Sequence, residues 1–143
     1  MNIKNKNINE LEALAQEIRD RIIEVVSVNG GHLSSTLGAV ELTLGMHKVF
    51  ENEHDPFIFD VSHQCYPHKL ITGRWEEFKT LRQFGGMSGF TKPKESKSDY
   101  FVAGHSSTSI SLAVGAAKAA KLEQNAKIPV VMIGDGSMTA GMI

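Results

Sequence analysis

Two short apolar runs limit most narrowly what this chain can fold into. Residues 57–61 and 129–133 are rich in aromatic and β-branched side chains and are bounded by turn-forming residues, which is typical of buried strands. Helical patterns lie between them. Strands that are apolar throughout and separated by helices indicate parallel strands that are covered on both faces. The sequence therefore predicts an α/β fold with a parallel sheet flanked by helices.

Several segments carry helical signals. Apolar residues in 9–28 recur at spacings of three and four, so this segment predicts an amphipathic helix that ends at Asn29-Gly30-Gly31. Residues 85–100 keep no regular period and predict a long loop. The other predicted helices cover about residues 37–50, a short segment from Tyr66, residues 74–84 and residues 104–123.

Composition narrows the function classes. A formal net charge of −1, with 22% charged residues, gives no basic surface for nucleic acid. No apolar run approaches the roughly 20 residues that span a bilayer, and the first residues lack a signal-peptide core. We therefore expect a cytoplasmic protein that acts neither on nucleic acid nor in a membrane. The single cysteine, Cys65, is expected to be a packed residue without chemistry.

Four polar segments are candidates for chemistry: residues 30–35, 62–64, 104–108 and 134–136. Ligands bind outside the carboxyl ends of parallel strands, and the second and fourth segments directly follow the predicted strands. Their positions favour a shared site. A glycine, a histidine and a serine at a helix start, as in Gly104-His105-Ser106, offer amides and hydroxyls to an anion, so phosphate is the expected ligand.

Individual residues in these segments have two interpretations. Asp135, between two glycines, offers a carboxylate to a hard cation such as Mg²⁺, but Asp-Gly is also a common turn. His32 and His63 suit proton transfer, whereas a histidine in a loop is often structural. Ser34 and Ser35 suit helix capping at least as well as ligand contact. Three further histidines are interpreted as structural residues: His47, His54 and His68.

The most specific motifs include Gly30-Gly31-His32-Leu33-Ser34-Ser35, Phe59-Asp60-Val61-Ser62-His63-Gln64, Tyr66-Pro67-His68-Lys69, Thr80-Leu81-Arg82-Gln83 and Gly104-His105-Ser106-Ser107-Thr108. With these motifs in this order, the chain closely resembles the N-terminal domain of the 1-deoxy-D-xylulose-5-phosphate synthase family, a branch of the transketolase superfamily. The resemblance runs from about residue 14 to residue 142. A true transketolase is expected to carry a proline after the first glycine-histidine pair, so the synthase branch is preferred.

The resemblance implies a thiamine-diphosphate-binding fold and a decarboxylating condensation of pyruvate with D-glyceraldehyde 3-phosphate. The implied product, 1-deoxy-D-xylulose 5-phosphate, leads to isoprenoid precursors, thiamine and pyridoxal. Thiamine diphosphate, bound through Mg²⁺, would stabilise the carbanion of this transferase reaction. A homodimer is implied for the complete enzyme.

The resemblance also assigns roles by position. Asp135 would be a magnesium ligand, and His32 would be a catalytic residue that relays a proton or orients the substrate. Ser62 replaces a glycine that is usual in the family and Cys65 replaces an alanine; both are small and compatible with the activity. Contacts to thiamine diphosphate are implied for His63, Gly104, His105, Ser106, Gly136 and Ser137.

We expect residues 1–143 to be the N-terminal part of the diphosphate-binding domain, incomplete at its C-terminus. In the superfamily, the Gly-Asp-Gly segment is followed by an asparagine that is the second magnesium ligand, and that position falls beyond Ile143. The later domains would supply the glutamate that activates the cofactor and the residues that hold the sugar phosphate, so this chain alone is expected to be inactive. The alternatives are a non-catalytic remnant and a fragment of another transketolase-type enzyme.

Overall fold

A computed structural model of the chain describes residues 2–141 and 143. Met142, the last residue of the resemblance, lies outside the described residues. The chain divides into two compact units. The first consists of Met1–Phe50 with His63–Gly89, and the second consists of Glu51–Ser62 with Phe90–Ile143. No helix in the described part is long and apolar enough to cross a membrane.

The first unit is organised around helix α1, Ile8–Asn29. Asn7 caps its start, because the Asn7 side chain accepts the Glu10 amide at 3.0 Å and the Glu10 carboxylate accepts the Asn7 amide at 2.7 Å. The helix ends at Gly30, which has a φ of +75°. These bounds confirm the predicted amphipathic helix. Its buried face consists of Leu14, Ala15, Ile18, Ile22, Val25 and Val26.

In the described part of the first unit, α1 is followed by three shorter helices and one 3-10 helix. The predicted helix over 37–50 is present as α3, which starts later because Gly38 and Ala39 form a turn after α2. The predicted short helix from Tyr66 is confirmed as α4. Helix α1 packs against α3, α4 and the 3-10 helix. The bounds are α2 Ser34–Leu37, α3 Val40–Val49, α4 Tyr66–Ile71 and the 3-10 helix Glu77–Thr80.

The helix predicted over 74–84 is wrong except for the 3-10 turn. The side-chain amide of Asn29 donates to the carbonyls of Lys79 and Leu81 at 2.9 and 3.0 Å. The Asn29 side chain thus occupies two carbonyls that would accept backbone amides if the helix continued. Arg82 then adopts a φ of +61°, which no α-helical residue can have.

The second unit contains strand β1, Phe57–Phe59, and strand β2, Val130–Met132, which pair in parallel. Both strands and their parallel pairing were predicted, although β1 is shorter than expected because Val61 has a φ of +58°. Strand β1 is fully buried, whereas Val130 and Val131 of β2 are only half-buried. Helix α5, Ser109–Leu122, packs against both strands, and the short helix α6, Asp135–Met138, follows β2.

A pair of buried histidines lies in the core of the first unit. Nε2 of His47 on α3 and Nδ1 of His68 on α4 are 3.0 Å apart, and the rings stack at 29°. Their contact joins the two helices, in agreement with the structural role predicted for both. Burial lowers the pKa of His47 to about 3, and the neighbouring charges of His68 and Lys4 act in the same direction.

We predict that His47 makes the chain sensitive to acid. An unfolded histidine has a pKa of about 6.5, so below that pH the unfolded state binds a proton that folded His47 does not bind until about pH 3. The contribution of His47 to the free energy of unfolding should therefore be fully present above about pH 6.5. Below that pH it should fall by up to about 1.4 kcal/mol per pH unit.

Urea unfolding of the 143-residue chain between pH 7 and pH 4 measures this effect. His47→Leu should show a shallower loss of unfolding free energy than the parent, while His105→Gln, at an exposed loop position, should keep the parent's slope. Equal slopes for the parent and His47→Leu would contradict the prediction.

Candidate functional site

The two histidines that the sequence marked for chemistry in the first unit lie side by side. His32 follows α1 in the loop before α2, and His63 lies shortly before α4. Their ring centroids are 5.4 Å apart, in an edge-to-face arrangement at 66°. The hydroxyl of Thr36 on α2 donates to the backbone carbonyl of His63 at 3.1 Å. The structure thus brings together a candidate catalytic residue and a candidate cofactor residue.

One atom of His63 lacks a partner. Its Nδ1 is buried, and no hydrogen-bond partner for it exists in the described part of the chain. A buried polar atom without a partner costs about 1–3 kcal/mol, so such an atom in a native structure calls for an explanation. A polar atom of a bound ligand would satisfy it. This geometry fits the predicted contact between His63 and a cofactor.

The hydroxyl of Tyr66 connects His32 to Arg82. The backbone amide of His32 approaches this hydroxyl at 3.4 Å, and the Arg82 side chain forms a hydrogen bond with it. Gly31 permits the approach, because it has a φ of +148° and a β-carbon there would lie 2.9 Å from the Tyr66 hydroxyl. We call His32, His63, Tyr66 and Arg82 the histidine cluster.

The electrostatics of this cluster favour a neutral His32. Partial desolvation lowers the pKa of the His32 imidazole although the residue is exposed, and the charges that His63 and Arg82 can carry lower it further. A neutral imidazole has one nitrogen that donates and one that accepts a proton. The side chain can therefore transfer protons near neutral pH, as a relay residue must.

In the second unit, residues 104–108 precede helix α5 instead of forming its first turn. The helix begins at Ser109, and residues 104–106 are exposed. Ser107 has a φ of +69°, and its hydroxyl donates to the carbonyl of Ser137 at 2.8 Å. This hydrogen bond links Ser107, the residue after the predicted cofactor segment 104–106, to Ser137 of the other predicted segment.

A side chain of the protein itself occupies the start of α5. The buried carboxylate of Asp60 accepts the amides of Ser107 and Ser109 at 2.9 and 3.2 Å, and the Ser109 hydroxyl at 2.7 Å. The sequence had predicted that this helix start offers its amides to a phosphate. The amides of Ser107 and Ser109, which follow the predicted Gly104-His105-Ser106 segment, are taken by the Asp60 carboxylate and are not open to an external anion. The exposed residues 104–106 are the part of the segment that faces solvent.

Asp135 begins α6, directly after β2, and is exposed. Its Oδ1 accepts the amide of Gly136 at 2.8 Å. A β-carbon added at Gly134 or Gly136 would meet nothing within 4 Å. The carboxylate thus stands in open space beside exposed backbone, where a cation and a phosphate group could approach it.

The donor set at Asp135 consists of oxygen atoms, which suits Mg²⁺. No three His, Cys, Asp or Glu side chains among the described residues form a metal site. Magnesium usually keeps several waters and is held by one or two carboxylates together with phosphate oxygens. A single exposed aspartate fits that mode of binding, in which the phosphate groups of a ligand complete the coordination.

Two residues that the structure places at the candidate sites, Arg82 and Asp60, had no role predicted from the sequence. Arg82 was assigned to the interior of a helix that the structure does not contain, and its place in the family motif Thr80-Leu81-Arg82-Gln83 gave it no role. Asp60 was counted as part of a strand. A signal existed for Asp60, because a carboxylate that directly follows a buried apolar strand lies at the edge where α/β proteins bind ligands.

Comparison with known proteins agrees with the resemblance. A family model described as 1-deoxy-D-xylulose-5-phosphate synthase matches residues 1–143. The chain is 74% identical to the 1-deoxy-D-xylulose-5-phosphate synthase of Aliarcobacter butzleri and 73% identical to that of Nitratiruptor sp., over 143 residues in each case. It is 68% identical to the protein of the same name from Sulfurimonas denitrificans over 145 aligned positions.

The coverage of these matches is asymmetric. All of this chain is aligned in each of the three, but the alignment covers 24% of each relative. The chain therefore spans about a quarter of the length of the curated relatives that it matches.

We predict that Arg82 holds down the pKa of His32. Replacing Arg82 by Gln removes a positive charge that disfavours protonation of His32, so the pKa of His32 should rise toward its ordinary value. Titration of the imidazole protons by NMR in the 143-residue chain measures this pKa. Lys79→Gln makes the same charge change on the exposed side of the 3-10 helix and should leave His32 unchanged. An equal response to both substitutions would contradict the prediction.

Proposed function

This chain belongs to the 1-deoxy-D-xylulose-5-phosphate synthase family, and we propose that it is part of an enzyme that condenses pyruvate with D-glyceraldehyde 3-phosphate. The reaction releases carbon dioxide and gives 1-deoxy-D-xylulose 5-phosphate, a starting compound for isoprenoid precursors, thiamine and pyridoxal. The observation that carries this proposal is the 74% identity with a synthase across all 143 residues. The complete enzyme would act as a homodimer, as the family resemblance implies, and its proposed location is the cytoplasm, as expected from the sequence pattern.

Within this enzyme, residues 1–143 would form the N-terminal part of a thiamine-diphosphate-binding domain. The half-buried β2 supports this assignment. Parallel sheets are covered on both faces, yet Val130 and Val131 remain partly exposed while β1 is fully buried. Further strands and helices of a larger sheet would cover β2.

The proposed cofactor is thiamine diphosphate, held through Mg²⁺. The cofactor would stabilise the carbanion formed from pyruvate, and the residues of this chain would bind and orient it. Asp135 is proposed as a magnesium ligand, since its carboxylate is exposed beside open backbone. The unpartnered Nδ1 of His63 supports a cofactor contact. The other proposed cofactor residues are Gly104, His105, Ser106, Gly136 and Ser137.

His32 is proposed to move or orient a proton during the reaction. Its lowered pKa keeps the imidazole neutral, so that one nitrogen can accept a proton from a substrate hydroxyl while the other donates. Tyr66 would fix the backbone of His32 through the hydroxyl contact. Burial raises the pKa of Tyr66, so its hydroxyl stays protonated.

An activity assay with two proteins tests the proposed function. A full-length protein, in which this chain is continued to the length of its relatives, should release carbon dioxide from pyruvate only when glyceraldehyde 3-phosphate, thiamine diphosphate and Mg²⁺ are present. The 143-residue chain should show no turnover, because it spans about a quarter of a synthase. Failure of the full-length protein to form 1-deoxy-D-xylulose 5-phosphate would refute the proposal.

We predict that Asp135 dominates magnesium-dependent cofactor affinity. Asp135→Asn keeps the shape but removes the charge that holds the cation, so thiamine diphosphate should bind at least tenfold more weakly, equivalent to about 1.4 kcal/mol or more. Ser137→Ala removes a hydroxyl that is hydrogen-bonded to Asp60 and leaves the charge of Asp135 in place, so it should weaken cofactor binding by only about 0.5–1.5 kcal/mol.

Calorimetric titration of thiamine diphosphate with Mg²⁺ into the full-length protein measures both affinities. Unchanged affinity of Asp135→Asn would mean that Asp135 is an ordinary turn residue.

A further inference from the structure

Asp60 is a buried side chain of the second unit with several hydrogen bonds, and neither the sequence nor the family assignment gives it a role. It directly follows β1 and is 1% exposed. Its backbone amide donates to the carbonyl of Met132 at 2.8 Å, one bond beyond the strand pairing. The strand pairing thus fixes the main chain of Asp60, and burial restricts where its carboxylate can lie.

Both carboxylate oxygens are used, and every partner is a donor. Oδ1 accepts the Ser107 amide, and Oδ2 accepts both the amide and the hydroxyl of Ser109. An ionised carboxylate only accepts hydrogen bonds and therefore suits this donor set, whereas a carboxamide would direct an NH₂ group at one of the donors. The negative charge also lies at the start of α5, where the helix dipole favours it.

The hydrogen bonds continue from Asp60 to the segment after β2. Ser107 donates its hydroxyl to the carbonyl of Ser137 at 2.8 Å, and the Ser137 hydroxyl forms a hydrogen bond with Asp60. One buried carboxylate therefore holds the ends of two segments, residues 104–108 and 134–137. Both segments contain residues that the proposed function assigns to the cofactor.

Strained backbone surrounds this carboxylate. Val61, Ser62 and Ser107 have φ values of +58°, +72° and +69°. Non-glycine residues in this region cost of order 1–3 kcal/mol and persist only where the surroundings determine them. Ser107 is held by its amide on Asp60 and its hydroxyl on Ser137, and Ser62 is held by its hydrogen bonds with Thr91. At Ser62 and Ser107 the strained backbone thus coincides with specific hydrogen bonds that can maintain it.

We propose that Asp60 is a positioning residue for the cofactor, which fixes the 104–108 and 134–137 segments relative to each other through Ser107, Ser109 and Ser137. This inference rests on the proposed function, because that function assigns residues of both segments to thiamine diphosphate. Asp60 does not touch the cofactor in this proposal. Its effect is preorganisation: a ligand that binds segments already in place avoids the cost of ordering them.

The test compares Asp60→Asn with Asp55→Asn in the full-length protein. Asp55 is the matched control, because it is also buried and accepts two backbone amides, from Glu51 at 3.0 Å and Ile128 at 2.9 Å. In the described part of the chain, Asp55 has no hydrogen bond to residues 104–108 or 134–137. Both variants should lower the melting temperature, so stability alone does not distinguish them.

Cofactor binding does distinguish them. In calorimetric titrations with thiamine diphosphate and Mg²⁺, Asp60→Asn should bind at least tenfold more weakly than the parent, and Asp55→Asn should bind as the parent does. In steady-state assays the apparent KM for thiamine diphosphate should rise for Asp60→Asn, while kcat at saturating cofactor returns to within about threefold of the parent. Amide exchange without cofactor should increase at residues 104–109 and 134–138 in Asp60→Asn only.

Ser107→Ala extends the test if Asp60→Asn does not fold. It removes the hydroxyl bond to Ser137 and keeps the amide bond to Asp60, so cofactor affinity should fall about threefold with little change in melting temperature. Equal cofactor affinity of the parent, Asp60→Asn and Ser107→Ala would overturn the inference and leave the proposed function intact. If the parent itself fails to bind thiamine diphosphate, the proposed function fails, and the cofactor role of Asp60 fails with it.

Discussion

The parallel pairing of two three-residue strands decides where the second unit places its polar side chains. Phe57 pairs with Val130 and Phe59 with Met132, so the carboxyl ends of both strands meet at one edge. Asp60 and the Gly134–Ser137 segment both start from that edge. A slip by one residue would turn the side chains of a strand to its other face, and the hydrogen bonds that lead from Asp60 to Ser107 and Ser109 could not form.

The two aspartates at this edge show how environment separates roles. Burial alone would raise the pKa of Asp60, but the hydrogen bonds from Ser109, Ser107 and Ser137 outweigh burial and lower it. The carboxylate is therefore ionised and fully occupied within the protein. Asp135 is exposed and accepts one local amide, which leaves it accessible to a cation. One aspartate suits internal positioning, and the other suits ligand binding.

The histidines of the first unit differ in the same way. His47 and His68 are buried and satisfy each other at 3.0 Å, so their contact holds two helices together. His32 and His63 meet edge to face, His32 is exposed, and the buried Nδ1 of His63 has no hydrogen-bond partner among residues 2–141 and 143. A polar atom that the folded chain leaves unsatisfied is a reason to expect a ligand, whereas a satisfied pair needs none.

Most of the regular structure could be predicted from the sequence. The helix at Ile8–Asn29, the short helix from Tyr66 and the two parallel strands follow from apolar spacing, caps and β-branched runs, because these are local preferences. The helix predicted over 74–84 failed because the Asn29 side chain binds the carbonyls of Lys79 and Leu81. Asn29 lies about fifty positions away in the chain, and no local pattern encodes such a contact.

The candidate site divides in the same manner. The sequence by itself determined the family and the chemical types of the residues, including His32, His63 and Asp135, because motifs preserve residue identity and order. Only the tertiary structure decided that the Tyr66 hydroxyl contacts both the Arg82 side chain and the His32 backbone amide. It also decided that the Asp60 carboxylate accepts the amides at the start of α5. The physical reason is that hydrogen-bond partners and burial depend on which distant segments come into contact, and local patterns in a single sequence do not specify those contacts.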